Sequence, residues 1–290
     1  MPGIADLVGN TPLVELKKLN PNPNVTIYAK LEGNNPGGSV KDRPALNMIR
    51  SALERGDIKA GSKLIEATSG NTGIALAMIA RLYDLEIELV MPSTSTKERT
   101  LTMEAFGATV TLLDNIEVCR DYADEKAARG EAFILNQFAN PDNYKAHYKT
   151  TGPEIWKDTN QSITHFVSSM GTTGTIMGCS RYFKEINPAI QIIGCQPTEE
   201  SSIPGIRRWP VAYLPKIFEP ERVDRVMDVS QQEATEMARQ LAKVEAIFAG
   251  MSSGGAASAA IRLAQEIDKG VIVFIACDRG DRYLSSDLFG

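Results

Sequence analysis

Short runs of β-branched and other apolar residues alternate along the whole chain with stretches whose apolar residues recur at helical spacing. The short runs predict strands and the longer stretches predict helices. The predicted strands are VTIYAKL (25–31), KLIEA (63–67), EIELVMP (86–92), ATVTLL (108–113), ITHFVSS (163–169), IQIIGCQ (190–196) and VIVFIAC (271–277). The predicted helices lie near residues 43–55, 72–83, 96–106, 117–129, 142–158, 174–186, 231–245 and 254–267.

This alternation predicts an α/β fold in which parallel sheets are covered by helices on both faces. Strands such as IQIIG and VIVFIA carry apolar residues on both faces, as burial inside such a sheet requires. The strand pattern restarts after the middle of the chain, which predicts a domain division near residues 140–150. The stretch 198–228, rich in Pro, Ser and Arg, is predicted to be irregular, and a loop of that length is usually functional or mobile.

Composition narrows the class of protein. With 290 residues, the chain can form one large domain or two that share a cleft. A net charge of −5 gives no reason to expect nucleic acid or an anionic membrane as partner. No apolar run approaches the roughly 20 residues that span a bilayer, and the N-terminus lacks the pattern of a secretory signal.

The cysteines and histidines limit the chemistry further. Four cysteines show no metal-ligand spacing, so we expect reduced thiols in a cytoplasmic protein. The sequence contains two histidines, so a histidine metal centre is not expected. A proton-transfer enzyme with this composition would use another base.

The polar loop EGNNPGGSVKDR (32–43) places a lysine where a helix is predicted to start. Ser39 and Asp42 have the spacing of a capping box, which makes Ser39 the expected N-cap and puts Lys41 in the first turn. Pro44 agrees, because proline is tolerated early in a helix. The positive helix terminus favours the neutral amine of Lys41, and a neutral amine is a nucleophile towards an aldehyde. Taken alone, the pattern also fits an ordinary solvated helix start.

Three further loops join a strand or loop to a helix and are rich in small polar residues. EATSGNTG (66–73) offers hydroxyls, an amide and backbone N–H groups, and can hold a carboxylate. SSMGTTGT (168–175) suits a phosphate dianion, although it matches neither the P-loop nor the dinucleotide pattern. GMSSGGA (250–256) presents serine hydroxyls or provides tight helix packing. An ordinary capped turn is the alternative for each loop.

Together these loops supply what pyridoxal phosphate needs. The cofactor requires a lysine for its aldehyde, donors for its phosphate and a partner for its ring nitrogen. A serine partner would leave that nitrogen largely unprotonated, which suits β-elimination better than transamination.

With these motifs in place, the chain resembles the cysteine synthase family of fold-type II pyridoxal-phosphate enzymes, related to the tryptophan synthase β chain. The resemblance covers essentially the whole chain and is strongest to the B branch of the family. It is carried by GNTPLV (9–14), KLEGNNPGGSVKDR (30–43), EATSGNTGIALA (66–77), TTGPEIW (150–156), SSMGTTGTIMG (168–178), QPTEESSIPGIRRWP (196–210), GMSSGGA (250–256) and CDRGDRYLSSDLFG (277–290). Gly38, where alanine is frequent, and Pro44 depart from the common pattern.

The resemblance implies two three-layer αβα domains with the active site in the cleft between them. The smaller domain would span 36–145, with a mobile subdomain at about 85–130. The larger, phosphate-binding domain would combine 1–35 with 146–290.

The resemblance also implies a role for individual residues. Lys41 matches the catalytic lysine that forms the Schiff base with pyridoxal 5'-phosphate and moves the α-proton. The other cofactor positions are Asn71 at the ring hydroxyl, Ser252 at the ring nitrogen, and the phosphate loop Gly171, Thr172, Thr173, Gly174 and Thr175. The substrate positions are Thr68, Ser69, Thr72 and Gln137 at the α-carboxylate, Arg207 and Arg208 with Trp209 at the entrance, and Cys277 in the pocket.

The implied reaction makes L-cysteine from O-acetyl-L-serine and sulfide. Arg207 and Arg208 suit an oxyanion, which suggests thiosulfate as a further donor, unless the two are solvated or paired with Glu199 and Glu200. An O-phosphoserine-dependent sulfhydrylase, a cystathionine β-synthase, a dehydratase and a non-catalytic binding protein on the same fold remain alternatives.

The resemblance extends to partners. A homodimer is implied. Relatives bind a C-terminal peptide of serine acetyltransferase in the cleft, although little binding of it is expected in the B branch.

Overall fold

The computed structural model describes residues 1–68 and 70–289. The strands within these residues are β1 (Leu13–Glu15), β2 (Val25–Leu31), β3 (Lys63–Ala67), β4 (Glu86–Pro92), β5 (Thr109–Leu113), β6 (Phe133–Ile134), β7 (His165–Ser169), β8 (Gln191–Pro197), β9 (Arg225–Val229) and β10 (Gly270–Ala276). The helices are α1 (Asp42–Arg55), α2 (Asn71–Leu82), α3 (Lys97–Ala105), α4 (Ile116–Ala128), α5 (Pro141–Lys149), α6 (Thr151–Asp158), α7 (Gly174–Ile186), α8 (Gln231–Glu245) and α9 (Met251–Glu266).

The larger sheet has the order β1-β2-β10-β7-β8-β9. β1 is antiparallel to β2, and the other neighbours are parallel. In the register of the sheet, Phe274 of β10 lies between Ala29 of β2 and Val167 of β7. Helices α8 and α9 cover one face, and α7, backed by α5 and α6, covers the other. The apolar side chains of both faces are buried, which gives the central strands their continuous hydrophobic runs.

The smaller sheet has the order β5-β4-β3-β6 and is parallel throughout. Helices α1, α2 and α3 enclose one of its cores, and α4 packs on the opposite face. The predicted α/β class with helices on both faces of parallel sheets is confirmed. The limits of the two domains, 36–145 against 1–35 plus 146–290, and the mobility of 85–130 stay predictions.

The single helix predicted at 142–158 is wrong, because the structure has two helices, α5 and α6. They are separated at Thr150, whose φ of −128° and ψ of −67° leave the helical region. Pro153 explains the break, since it has no N–H to bond the carbonyl of Lys149 and its ring crowds the preceding turn.

Three short strands escape the sequence pattern: β1, β6 and β9. β9 lies inside the stretch 198–228 that was predicted to be irregular, and two 3₁₀ turns, Val211–Tyr213 and Pro220–Arg222, also lie there. Among the described residues, no helix combines the length and apolar character needed to cross a membrane.

Candidate active site

A cavity of about 540 Å³ opens where strands of the two sheets end. Loops that follow β3, β7 and β10 reach it, as expected for parallel sheets, whose ligands bind at the carboxyl ends of the strands. Of the residues predicted from the sequence, those that line it are Lys41, Thr68, Asn71, Thr72, Gln137, Gly171, Thr172, Thr175, Arg207, Arg208, Trp209, Ser252 and Cys277. Thr173 and Gly174 are not among the lining residues: Thr173 is the N-cap of α7 and Gly174 is its first residue. Ser69 lies outside the described residues.

Lys41 is the last residue before α1, so the predicted capping box is wrong. The N-cap is Lys41 itself, and Ser39 lies two residues earlier, where its Oγ accepts the backbone N–H of Lys41 at 3.2 Å. The Asp42 carboxylate accepts the backbone N–H of Gly37 instead of the N–H of Ser39. Val40 N donates to the carbonyl of Cys277 at 2.8 Å, so the end of β10 fixes the position of Lys41.

The surroundings of Lys41 favour its neutral amine. Burial lowers the pKa of Lys41, and the nearby Cys277 and Asp278 oppose this only in part. Burial also raises the pKa of the Cys277 thiol to about 11, which keeps the thiol neutral and removes a counter-charge for the lysine. Within residues 1–68 and 70–289, Lys41 Nζ has neither a hydrogen-bond partner nor an ion-pair partner. A desolvated amine that faces a cavity is suited to act as a nucleophile or base.

The loop after β3 places hydroxyl and amide groups opposite Lys41. Thr72 Oγ1 donates to Gln137 Oε1 at 2.8 Å, which joins the start of α2 to the segment that precedes α5. Thr68 Oγ1 accepts the N–H of Gly70 at 3.3 Å. Thr68, Thr72 and Gln137 are all buried. These groups, together with the N-terminus of α2, form a cradle suited to a carboxylate.

The backbone of Gln137 is fixed by a buried carboxyl group. Glu66, 3% exposed, accepts the backbone N–H of Asn136 at 3.1 Å and that of Gln137 at 3.2 Å. Burial raises the pKa of Glu66 to about 7, against the lowering effect of these hydrogen bonds. Glu66 stands in the EATSGNTG motif, but its position there gives no sign of a contact with residues 70 and 71 positions away.

The loop after β7 has the geometry of an anion site. It ends at the N-terminus of α7, where Thr173 is the N-cap with a left-handed φ of +70°. Gly171 and Gly174 are required by close packing, because a Cβ would lie 2.5 Å from Gly205 O and 1.9 Å from Asn143 Oδ1. The backbone N–H groups at this terminus and the helix dipole favour a phosphate dianion.

A neutral histidine supports the same loop. His147 Nε2 lies 3.3 Å from Thr175 Oγ1, and its Nδ1 lies 2.8 Å from Thr151 Oγ1. Burial and the nearby Arg43 guanidinium lower the pKa of His147 to about 3, in spite of Glu32 and Glu154. The imidazole is therefore uncharged at neutral pH and fixes the Thr175 hydroxyl through a hydrogen bond.

Ser252 and Cys277 also line the cavity. Ser252, 4% exposed, stands in the first turn of α9, and its carbonyl accepts Ser169 Oγ at 2.8 Å. Cys277 N donates to Ser253 Oγ at 2.9 Å, which links the end of β10 to α9. A serine at this wall presents a hydroxyl without a charge.

The two neighbouring arginines that line the cavity differ in their contacts. Arg208 forms an ion pair with Asp228 at 2.5 Å and donates to Pro197 O at 2.9 Å. The pairing of this arginine with Glu199 and Glu200, considered from the sequence, is therefore wrong. Among the described residues, no carboxylate forms an ion pair with Arg207, whose Nη1 donates only to the carbonyl of Ile206 at 3.4 Å. Arg207 thus offers the cavity a guanidinium that is not neutralised.

Trp209, which was named from the sequence, contacts Phe138, which was not. Trp209 Nε1 donates to Gly171 O at 2.7 Å, and its ring meets Phe138 edge-on with centroids 5.7 Å apart. The guanidinium of Arg120, on α4, lies 5.1 Å from the centroid of Phe138. Phe138 and Arg120 line the cavity, but neither belongs to a recognisable motif, so the sequence offered no signal for them.

These residues fit pyridoxal phosphate. The buried amine of Lys41 suits the aldehyde, and the close-packed turn before α7 suits the phosphate. The amide of Asn71 and the neutral hydroxyl of Ser252 remain for the ring. The cavity also leaves room for a small amino acid beside the cofactor.

Comparison with known proteins supports the same assignment. The family model described as pyridoxal-phosphate dependent enzyme matches residues 4–278. The chain is 59% identical over 291 residues to cysteine synthase B of Pseudomonas aeruginosa, a match that covers 99% of this chain and 97% of that protein. It is 55% identical over 293 residues to cysteine synthase B of Escherichia coli, with 100% and 97% covered. Among solved structures, a cysteine synthase from Entamoeba histolytica superposes with a TM-score of 0.93 at 37% identity, covering 99% of this chain and 90% of that chain.

Proposed function

The chain belongs to the pyridoxal-phosphate dependent enzyme family, and we propose that it makes L-cysteine from O-acetyl-L-serine and sulfide, with thiosulfate as a second sulfur donor. It is a pyridoxal-phosphate-dependent cysteine synthase. The acyl donor, the use of thiosulfate and the roles of individual residues are proposals. The observation that supports them is the desolvated amine of Lys41, which faces a cavity between a phosphate loop and a carboxylate cradle.

When bound, the cofactor supplies an aldehyde and a ring that withdraws electrons from the α-carbon of the substrate. In our proposal Lys41 holds the aldehyde end and the loop Gly171–Thr175 holds the phosphate. Asn71 meets the ring hydroxyl, and Ser252 meets the ring nitrogen. Because the Ser252 hydroxyl is neutral, the nitrogen keeps little positive charge, which favours elimination at the β-carbon.

The substrate contacts follow from the cradle after β3. Thr68, Thr72 and Gln137 bind the α-carboxylate, together with Ser69, which the resemblance adds. This places the α-carbon near Lys41 Nζ. The amine removes the proton from Cα as acetate leaves Cβ, and it returns the proton to Cα after sulfide has bonded to Cβ. Closure of the smaller lobe over the carboxylate would keep water from the reacting carbon.

Thiosulfate would displace acetate in the same way and give S-sulfocysteine. Its sulfonate oxygens need a cation at the cavity wall, and Arg207 provides one that no described carboxylate neutralises. Arg208 also lines the cavity, but its charge is balanced by Asp228. We therefore assign selection of the oxyanion to Arg207.

The test compares Arg207→Ala with Arg208→Ala, because the two residues are neighbours of the same type. Steady-state kcat/KM is measured with sulfide and with thiosulfate at saturating O-acetylserine. Arg207→Ala should lower the thiosulfate value at least about tenfold more than the sulfide value, as expected for loss of a charge-assisted hydrogen bond. Arg208→Ala should change both values by similar, smaller factors. Equal losses with both donors in Arg207→Ala would show that this arginine does not select the oxyanion.

An O-phosphoserine-dependent sulfhydrylase is the closest alternative, since Arg207 would also suit a phosphate at the β-position. Adding O-acetylserine and O-phosphoserine separately, and following the absorbance of the bound cofactor, distinguishes the two donors. A non-catalytic binding protein would respond to neither donor. We further infer a cytoplasmic homodimer with little affinity for a serine acetyltransferase C-terminal peptide, which light scattering and calorimetry test.

A further inference from the structure

The side-chain amide of Asn71 is bonded at both ends by the segment that follows β10. Its Nδ2 donates to Asp278 Oδ2 at 2.7 Å, and its Oδ1 accepts from Arg282 Nη1. Arg282 also donates through Nη2 to the carbonyl of Gly37, in the loop that leads to Lys41. One carboxylate and one guanidinium therefore enclose this amide.

The carboxylate is itself fixed. Asp278 is 2% exposed, and its Oδ2 also accepts the hydroxyl of Tyr283 at 2.7 Å. Among the described residues that line the cavity, Asn71 and Tyr283 are present, whereas Asp278 and Arg282 are not. A ligand in the cavity therefore contacts Asn71 and Tyr283 directly. Asp278 and Arg282 act on such a ligand through their hydrogen bonds to Asn71 and through their charges at a distance.

The charges around Asn71 decide which way its amide points. Rotating the amide by half a turn would place its N–H groups against the Arg282 guanidinium and its oxygen against the Asp278 carboxylate. The amide N–H groups would then face the donors of a cation, and the amide oxygen would face the acceptors of an anion. Both charge-assisted hydrogen bonds would be lost. In the observed orientation Asp278 uses one of the two Nδ2 hydrogens. The second Nδ2 hydrogen is therefore left for a ligand in the cavity, while Oδ1, which already accepts from Arg282, keeps one lone pair.

We propose that Asp278 and Arg282 are positioning residues that fix the orientation of the Asn71 amide, so that it presents a hydrogen-bond donor to the cofactor. The inference rests on the proposed function, in which Asn71 meets the ring hydroxyl of pyridoxal phosphate. A donor stabilises the ionised ring oxygen, whereas the neutral hydroxyl would need an acceptor. The segment 277–283 thus sets the ionisation of the cofactor from behind the cavity wall.

The test is a cycle of variants of the holoenzyme: wild type, Asn71→Ala, Arg282→Ala and the double variant. Visible absorption gives the ratio of the bands that belong to the ionised and the neutral ring hydroxyl of the bound cofactor. Arg282→Ala should lower this ratio about fivefold, the size expected for one hydrogen bond. In the Asn71→Ala background, loss of Arg282 should cause no further change, because the arginine acts through the amide.

Arg279→Ala is the matched control. Arg279 lies in the same segment with a side chain 59% exposed and pairs with Asp281 at 2.9 Å, so its loss should leave the ratio unchanged. Should Arg282→Ala not fold, Arg282→Met removes the donor and keeps the volume, and the same fall in the ratio is expected.

Three results would overturn the inference. They are an unchanged ratio in Arg282→Met, an equal fall in the wild-type and Asn71→Ala backgrounds, or an equal fall in Arg279→Ala. Wild type that binds no cofactor would instead refute the proposed function, so the two failures are distinguishable.

Discussion

A cluster of buried charges fixes the start of α1 beside Lys41, and Glu154 is its centre. Its two carboxylate oxygens accept from Arg43 Nη1 at 2.7 Å and Nη2 at 2.8 Å. Lys30 Nζ forms an ion pair with the same carboxylate at 3.0 Å. The side chains of Lys30 and Arg43 are 0% and 1% exposed, and that of Glu154 is 13% exposed. Without the charge of Glu154, two buried cations would keep only Glu32 and Asp158 as ion-pair partners among the described residues.

Glu154→Gln keeps the shape of the side chain and removes this charge. Burial would raise the pKa of Glu154, but the hydrogen bonds and charge of Arg43, with Lys30, lower it from 4.5 to about 2. At about 1.4 kcal/mol for each pKa unit, this difference corresponds to a stabilisation of about 3 kcal/mol. Breaking a buried ion pair by removing one partner has a similar effect, about 3–5 kcal/mol. We therefore expect Glu154→Gln to lower the free energy of unfolding by about 3 kcal/mol at neutral pH.

Urea unfolding, followed by circular dichroism, measures this difference. Because the pKa in the folded state is below that in the unfolded state, the stabilisation is complete above about pH 4.5 and is lost as the pH falls towards 2. The difference in the free energy of unfolding between wild type and Glu154→Gln should therefore become smaller below about pH 4.5. Glu86→Gln is the matched control, since Glu86 pairs with Lys63 at 3.7 Å and both side chains are about two-thirds exposed. This control should change stability by less than about 0.5 kcal/mol. Equal effects of the two substitutions would refute the reasoning.

Single contacts around the cavity lead to three more expectations. Glu66→Gln should raise the KM for O-acetylserine more than it changes kcat, because the carboxyl group accepts the backbone N–H of Gln137. A larger change in kcat than in KM would contradict this. Gly174→Ala should abolish cofactor binding, measured by absorbance after reconstitution, because its Cβ would lie 1.9 Å from Asn143 Oδ1. Cys277 should be alkylated by iodoacetamide roughly a hundredfold more slowly than a free thiol at about pH 8, since its pKa is raised to about 11, and mass spectrometry of quenched samples gives the rate.

The sequence pattern is most informative where apolar runs are long. β2, β3 and β4 begin and end where their apolar runs predict. Each is largely buried, and a shift of one residue along its neighbour would move its apolar side chains to the wrong face of the sheet. β9 is different, since it is an edge strand in which three of five residues are exposed. Its place is set by backbone bonds to β8, a partner about 30 residues away, and so a local pattern cannot reveal it.

The same distinction applies to the candidate site. The loops after β3 and β7 could be predicted because polar clusters at the ends of buried strands meet at one edge of a sheet. The capping of α1 could not, because the Asp42 carboxylate accepts the N–H of Gly37 rather than that of Ser39. This arrangement depends on how the loop packs against the residues that follow β10. The hydrogen bonds of the Asn71 side chain to Asp278 and Arg282 likewise join residues more than 200 positions apart in the sequence.

The stretch 198–228 shows how tertiary contacts decide between alternatives that a sequence leaves open. Its composition is equally compatible with a mobile loop and with a functional one. In the structure, Arg207 N donates to Met170 O at 2.9 Å, and Trp209 Nε1 donates to Gly171 O at 2.7 Å. These two bonds attach the loop to the turn that is proposed to hold the phosphate. The backbone of Arg207 therefore has a defined position relative to the proposed phosphate turn, so its side chain starts from a fixed point beside the cavity, as an oxyanion-selecting residue requires.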